Sequence, residues 1–185
     1  MKYPRGKILI ITLLMEGAAL LLALLLARYF NINLLPLTDS PLQDILTGTA
    51  AAVPPFILFL FTLSEKAENI PIFSSLKKTI MTDLRTIFAN AGLFDLVLIS
   101  LLAGFAEEIL FRGVLQAKFG IVAASVVFGL IHCVSPAYVV VTTIMGFYIG
   151  ALYYASESLL VPVQMHFIYD LAVLIYIRYF LSEKE

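Results

Sequence analysis

Apolar residues run along this chain in stretches too long for the core of a soluble domain, and the few polar positions between them set the boundaries. A bilayer span takes roughly 20 mainly apolar residues. Two such stretches are clear, near 8–30 and 45–63, and 93–180 is almost continuously apolar. Cut at its polar breaks, from Arg112 to Lys118, Ser135 to Pro136 and Ser156 to Ser158, this last block predicts four closely packed helices, some short or tilted. The pattern predicts an all-α, polytopic transmembrane helix bundle of about six spans. One membrane domain is expected over 1–185, with no internal repeat and no low-complexity tract.

The one polar segment of any size, 64–92, mixes charges with apolar residues that recur at helical spacing from Leu76 through Ile80, Leu84, Ile87 and Phe88. It predicts an amphipathic helix along the cytoplasmic face, or a solvated connecting helix.

Composition agrees with the pattern. At 61% hydrophobic and 14% charged residues, a soluble globule of 185 residues would lack the polar side chains to cover its surface. Lys2, Arg5 and Lys7 precede the first apolar run, which is about 20 residues long against roughly 7–15 for a signal-peptide core. With Glu16 inside it as well, the run reads as an uncleaved first span. Basic residues favour the cytoplasm. They cluster at the N-terminus and at Lys66, Lys77, Lys78 and Arg85, while the intervening loop NINLLPLTDSPLQD carries Asp39 and Asp44 and no Lys or Arg. The N-terminus is therefore expected in the cytoplasm, with the C-terminus on the same side. A net charge of −1 without a basic stripe gives no reason to expect a nucleic-acid partner. The lone Cys133 excludes an intramolecular disulfide.

A charge at mid-bilayer costs at least about 2.5–3.5 kcal/mol, so the ionisable residues within 93–180 call for partners or a function. Glu108 and Arg112 are four apart and can pair on one helix face. Glu107 is rotated by about 100° from Glu108 and needs a partner from another helix. The chain's two histidines, His132 in FGLIHC and His166 in VQMHFIYD, are the candidates, and Asp170 shares a face with His166. Taken singly, Glu108 with Arg112 reads as a structural ion pair and His132 as a hydrogen-bond donor between helices. Glu16, Asp95, Glu157 and Arg178 read as structural, at span ends or facing a helix neighbour. Taken together, the two histidines, three carboxylates and Arg112 suit hydrolysis of an amide. A carboxylate near an imidazole can hold and deprotonate a water, and the second histidine with Asp170 can serve a developing oxyanion.

EEILFR (Glu107, Glu108, Arg112), FGLIH (Phe128, His132) and HFIYD (His166, Asp170) resemble the EExxxR, FxxxH and HxxxN/D motifs of the CAAX-protease and bacteriocin-processing family, CPBP or Abi, of intramembrane endopeptidases. The resemblance covers roughly 93–180, the expected catalytic core. It implies that Glu107 and His132 hold and activate the catalytic water, that Glu108 and Arg112 position them, and that His166 and Asp170 stabilise the oxyanion. Asn is frequent in the family where this chain has Asp170, and an ionised Asp accepts hydrogen bonds without donating them. The oxyanion role therefore attaches more firmly to His166. The resemblance further implies a peptide or membrane-associated protein substrate, a setting in the lipid bilayer, and location in the bacterial inner (plasma) membrane.

Rival readings remain at this point. Two histidines and a glutamate are a legitimate catalytic zinc set, although HExxH is absent and the ligands would come from three helices; the expected cofactor is none, with zinc the alternative. Cys133 adjoins His132 but points about 100° away and reads as a small buried residue. The other class of function is a non-catalytic membrane protein, such as a bacteriocin immunity factor, scaffold or transporter component.

Overall fold

A computed structural model describes residues 4–181. Lys2, counted above among the N-terminal basic residues, lies outside them. Among the described residues there is no strand. The chain opens with α1 (Arg5–Phe30), followed by α2 (Pro41–Ala51) and α3 (Val53–Leu63), which run on nearly in line through Ala52. The break between them falls where Pro54 and Pro55 enter, since proline withdraws the backbone donor that would continue the α-helical ladder. A connecting strap follows: a 3-10 turn (Glu65–Asn69), α4 (Pro71–Thr79), a π-helical turn (Ile80–Leu84) and α5 (Arg85–Phe88). The C-terminal block contains α6 (Leu93–Glu108), a π-helical stretch (Ile109–Gln116), α7 (Ala117–Ile131), α8 (Pro136–Ser156) and α9 (Leu160–Tyr179).

Among the described residues, five helices are long and apolar enough to cross a bilayer, where about six spans were expected. They are Arg5–Phe30, Pro41–Leu63, Leu93–Ile131, Pro136–Ser156 and Leu160–Tyr179. Leu13, Leu14, Leu21 and Leu25 stand exposed along α1, as a lipid-facing surface requires. The chain is an integral membrane protein with an all-α, polytopic bundle.

The break expected between Arg112 and Lys118 is absent. The helix passes through Arg112 in π-helical turns and breaks at Gly120, whose φ of 83° and ψ of 167° are open to glycine and to almost nothing else. A straight helix would hold Glu107 and His132 about 37 Å apart. They are 3.6 Å apart, and the Phe111 and Phe128 rings meet edge to face at 5.0 Å. The chain therefore doubles back at Gly120, and α7 returns along the helix it left.

Arg5 donates to Asp95 from Nε and Nη2 at 2.6 and 2.8 Å, and Arg178 donates to the Ala91 carbonyl at 3.1 Å. The start of α1, the start of α6 and the end of α9 thus gather at one end of the bundle. Asp95 also caps α6 by accepting the Gly92 N–H at 2.8 Å. At the other end, the Leu37 carbonyl accepts the Leu159 N–H at 2.9 Å and the Ser158 hydroxyl at 3.2 Å.

The strap is not a solvated connector. Leu76 and Ile80 are buried, and with Leu84 and Phe88 they line a cavity inside the bundle. Thr79 Oγ1 donates to Ser135 Oγ at 2.9 Å, fastening the strap to the turn between α7 and α8. On its outer side Lys77 donates to Glu68 at 2.5 Å and holds that carboxyl below the usual carboxylate range.

Candidate active site

Three close helix contacts bring the polar residues together. A Cβ on Gly104 of α6 would lie 2.9 Å from the Phe167 backbone nitrogen of α9, so the two helices touch one turn before Glu108. A Cβ on Gly146 of α8 would lie 2.9 Å from Ser125 Cα of α7. The turn at Gly120 lays α7 against the π-helical stretch. Small residues at such crossings let backbones approach closely where lipid gives no hydrophobic drive between helices.

Within this frame, adjacent carboxylates face different partners. Glu108 is fully buried, accepts Arg112 Nη1 on Oε1 at 3.1 Å and has the same nitrogen 2.9 Å from Oε2, the four-residue pair that the spacing predicts. It is also 2.7 Å from His166 Nδ1. Arg112 donates again, from Nη2 to the Gly146 carbonyl at 3.0 Å, and its guanidinium lies over the Phe128 ring at 4.9 Å. One turn on, Gln116 repeats the reach by donating to the Gly150 carbonyl at 2.9 Å. The sequence reading missed Gln116, although the Gly146-xxx-Gly150 spacing in α8 was visible.

Glu107 points toward α7. Its Oε2 is buried, has no hydrogen-bond partner among the described residues, and stands 3.6 Å from His132 Nε2. His132 Nδ1 lies 2.7 Å from the Phe128 carbonyl. A carbonyl only accepts, so Nδ1 carries the proton and Nε2 of the neutral ring presents its lone pair to Glu107. Two acceptors at this distance can be bridged by one water that sits beside them on the cavity side and donates to both, its own lone pairs then turned to the cavity. On α9, His166 Nε2 is 3.4 Å from Asp170 Oδ2.

Glu107, His132, His166 and Asp170 all border one cavity of about 260 Å³, whose remaining walls are mainly apolar and come mostly from α3, the strap, α8 and α9, with Ile99 of α6 and Phe128 of α7. Such a mostly apolar cleft with a few convergent polar groups is the usual form of a ligand site.

Other placements differ from the sequence reading. Glu16 lies mid-way along α1, half-buried and within electrostatic range of His166, Asp170 and Glu107, although it does not line the cavity. Cys133 is exposed, not a buried packing residue. Asp95, Glu157 and Arg178 hold element ends: Asp95 and Arg178 through the bonds above, and Glu157 in the left-handed conformation that ends α8. Among the described residues, no three of His, Cys, Asp and Glu converge as a metal-binding group. His132 and Glu107 face each other, but His166 Nδ1 is taken by Glu108.

Residues 89–172 match the family described as type II CAAX prenyl endopeptidase Rce1-like. The uncharacterized protein YpbD of Bacillus subtilis (strain 168) is 34% identical over 98 residues, 51% of this chain and 52% of that protein. The chain thus spans about half the length of this curated relative. No solved structure matches. The family resemblance read from the three motifs is borne out as a match: the segment 89–172, which holds all six candidate site residues, is similar to the Rce1-like type II CAAX prenyl endopeptidases.

Proposed function

We propose that the chain is an intramembrane endopeptidase that hydrolyses a peptide bond with water held between Glu107 and His132. The observation that carries this reading is the unpartnered Glu107 Oε2 facing His132 Nε2 across 3.6 Å in the wall of the cavity. Water donating to both acceptors turns a lone pair toward a carbonyl carbon in the cavity. As its oxygen bonds to that carbon, Glu107 takes a proton from the water, and the carbonyl π pair moves onto oxygen. Flanked by the Glu108 and Asp170 carboxylates, His166 carries a proton on each nitrogen: Nε2 donates to the oxyanion, and Nδ1 donates to Glu108, which Arg112 anchors. Collapse breaks the C–N bond as Glu107 passes its proton to the departing nitrogen. The products are a carboxyl end and an amine, and one water is consumed.

The apolar walls suit a hydrophobic peptide segment or a lipid-modified chain end, in keeping with the prenyl endopeptidase family. The site opens among helices of a membrane bundle, so the substrate class is a membrane-associated peptide or protein, and the expected location is the bacterial inner membrane with the N-terminus in the cytoplasm.

The test is cleavage of a peptide library by the purified protein in nanodiscs, read by mass spectrometry, for wild type, Glu107→Gln and wild type in chelator. General-base catalysis contributes about 10²–10⁴-fold, so Glu107→Gln is expected to lose at least a hundredfold in rate while keeping its unfolding temperature. A folded Glu107→Gln protein that cleaves normally overturns the assignment. Chelator-sensitive cleavage restored by zinc would transfer the chemistry to a metal.

A further inference from the structure

An oxyanion needs donors, and the site as described above has few. Glu107, Glu108 and ionised Asp170 only accept. Arg112 is turned to Glu108 and the Gly146 carbonyl and does not border the cavity, His132 Nδ1 is committed to the Phe128 carbonyl, and His166 Nδ1 to Glu108. His166 Nε2 is left, and Asp170 competes for it at 3.4 Å. Where the family often places an asparagine NH2, this chain has a carboxylate.

Tyr138 stands where a second donor is wanted. It lies in the first turn of α8, where its backbone N–H is capped by Ser135 Oγ at 3.3 Å, and Ser135 is itself held by Thr79. A Cβ on Gly129 would lie 2.9 Å from the Val139 carbonyl, so the first turn of α8 runs beside the end of α7, level with His132. The Tyr138 ring packs in the cluster of Phe59, Leu76 and Ile80 and lines the same cavity as Glu107 and Asp170. Both carboxylates are within its electrostatic range. Tyr169 also lines the cavity, but it comes from α9, the helix that already carries His166 and Asp170, whereas Tyr138 enters from α8. Among the described residues no protein group bonds the Tyr138 hydroxyl, which leaves its O–H free for a ligand. A phenol is an un-ionised donor at neutral pH.

Resting on the protease reading above, we propose that the Tyr138 hydroxyl is the second hydrogen-bond donor to the scissile carbonyl oxygen, opposite His166 Nε2, and strengthens its bond as that oxygen becomes an anion. No proton leaves the tyrosine; it is a catalytic residue by stabilisation alone.

The experiment measures kcat and KM on a cleaved peptide for wild type, Tyr138→Phe, Glu107→Gln and Tyr154→Phe, the last an exposed hydroxyl on the same helix. Removing one oxyanion donor costs about 10²–10³ in kcat, so Tyr138→Phe is expected to lose roughly a hundredfold in kcat with KM within twofold and an unchanged unfolding temperature, while Tyr154→Phe behaves as wild type. Binding of a phosphinic peptide analogue of the tetrahedral state is expected to weaken in parallel, while binding of the matching substrate peptide to the Glu107→Gln protein is unaffected by adding Tyr138→Phe. Wild-type kcat in Tyr138→Phe, or a loss confined to KM or accompanied by a fall in unfolding temperature, overturns the proposal. Absence of cleavage by wild type, or full cleavage by Glu107→Gln, overturns the protease reading and this proposal with it; a dead Glu107→Gln beside a fully active Tyr138→Phe overturns this proposal alone.

Discussion

Arg112 reaches across the bundle to the backbone carbonyl of Gly146, 34 positions further on, and the same guanidinium holds Glu108 four positions back. One side chain thus ties the start of the π-helical stretch to the middle of α8. The contact depends on Gly146 having no side chain, because α7 comes within 2.9 Å of where its Cβ would be. Gly146→Val is expected to cost about 1–3 kcal/mol through overpacking and to lower the rate of cleavage as Arg112 and Glu108 shift under His166. Denaturation in detergent micelles checks the first, and kinetics on the surviving folded fraction checks the second. Unchanged stability would mean the helices are not in contact there.

Gly120 is the point on which Glu107 and His132 depend for meeting at all. Its backbone conformation costs an L-residue about 1–3 kcal/mol. Gly120→Ala is therefore expected to lower the unfolding temperature although no atom lies within 4 Å of the added methyl group. The same substitution at Gly17, mid-helix in α1 and also without neighbours, is expected to be neutral or stabilising. Comparing the two unfolding temperatures separates backbone strain from packing.

The pairings that repeat every helical turn were legible in the sequence. Glu108 with Arg112 and His166 with Asp170 follow from four-residue spacing, and Glu107 was seen to need a partner from elsewhere. Which histidine it meets was legible only through the family motifs, which pair it with His132; spacing alone left both open, because Gly120 lies in an apolar run where a reversal leaves no mark on hydropathy. The break was placed instead at Arg112 to Lys118, where polarity rises, although a π-helical stretch carries those residues through. The inward turn of Leu76, Ile80, Leu84 and Phe88 was beyond reach for a related reason: an amphipathic face looks the same whether it covers lipid or a cavity. Glu16 was read as structural and Tyr138 was passed over because the charged groups around them lie roughly 90–150 and about 30 positions away, which no local pattern encodes.

Removing one member of a buried ion pair is far costlier than removing both. Arg112→Met leaves Glu108 buried beside His166 without its cation, and a loss of about 3–5 kcal/mol is expected. Adding Glu108→Leu is expected to recover part of it, so the double variant is more stable than the sum of the single changes predicts. A double-mutant cycle of unfolding free energies measures this. Additive losses would show that the 2.9 Å contact carries no coupling.

The Thr79 to Ser135 hydrogen bond offers a way to ask whether the strap moves during turnover. Its oxygens are 2.9 Å apart, close enough for cysteines at the two positions to join on oxidation once Cys133 has been changed to serine. Thr79→Cys with Ser135→Cys is expected to cross-link in membranes and to lose cleavage when oxidised, with recovery in reductant. Full activity in the cross-linked state would place the substrate entrance away from the strap.

Glu16 supplies the sharpest test of why a charge persists within α1. It is half-buried, within electrostatic range of three site residues, and among the described residues no hydrogen bond or ion pair offsets its burial. Were stability the only requirement, an apolar residue would serve better there, since an ionisable group in a span costs at least about 2.5 kcal/mol. Glu16→Leu is therefore expected to raise the unfolding temperature and to alter the pH dependence of cleavage, because a carboxylate is removed from beside Glu107 and Asp170. Stability and function would then move in opposite directions, as they do where a destabilising group is kept for activity. A variant that is both more stable and identical to wild type across the pH range would reduce Glu16 to an accident of the first span.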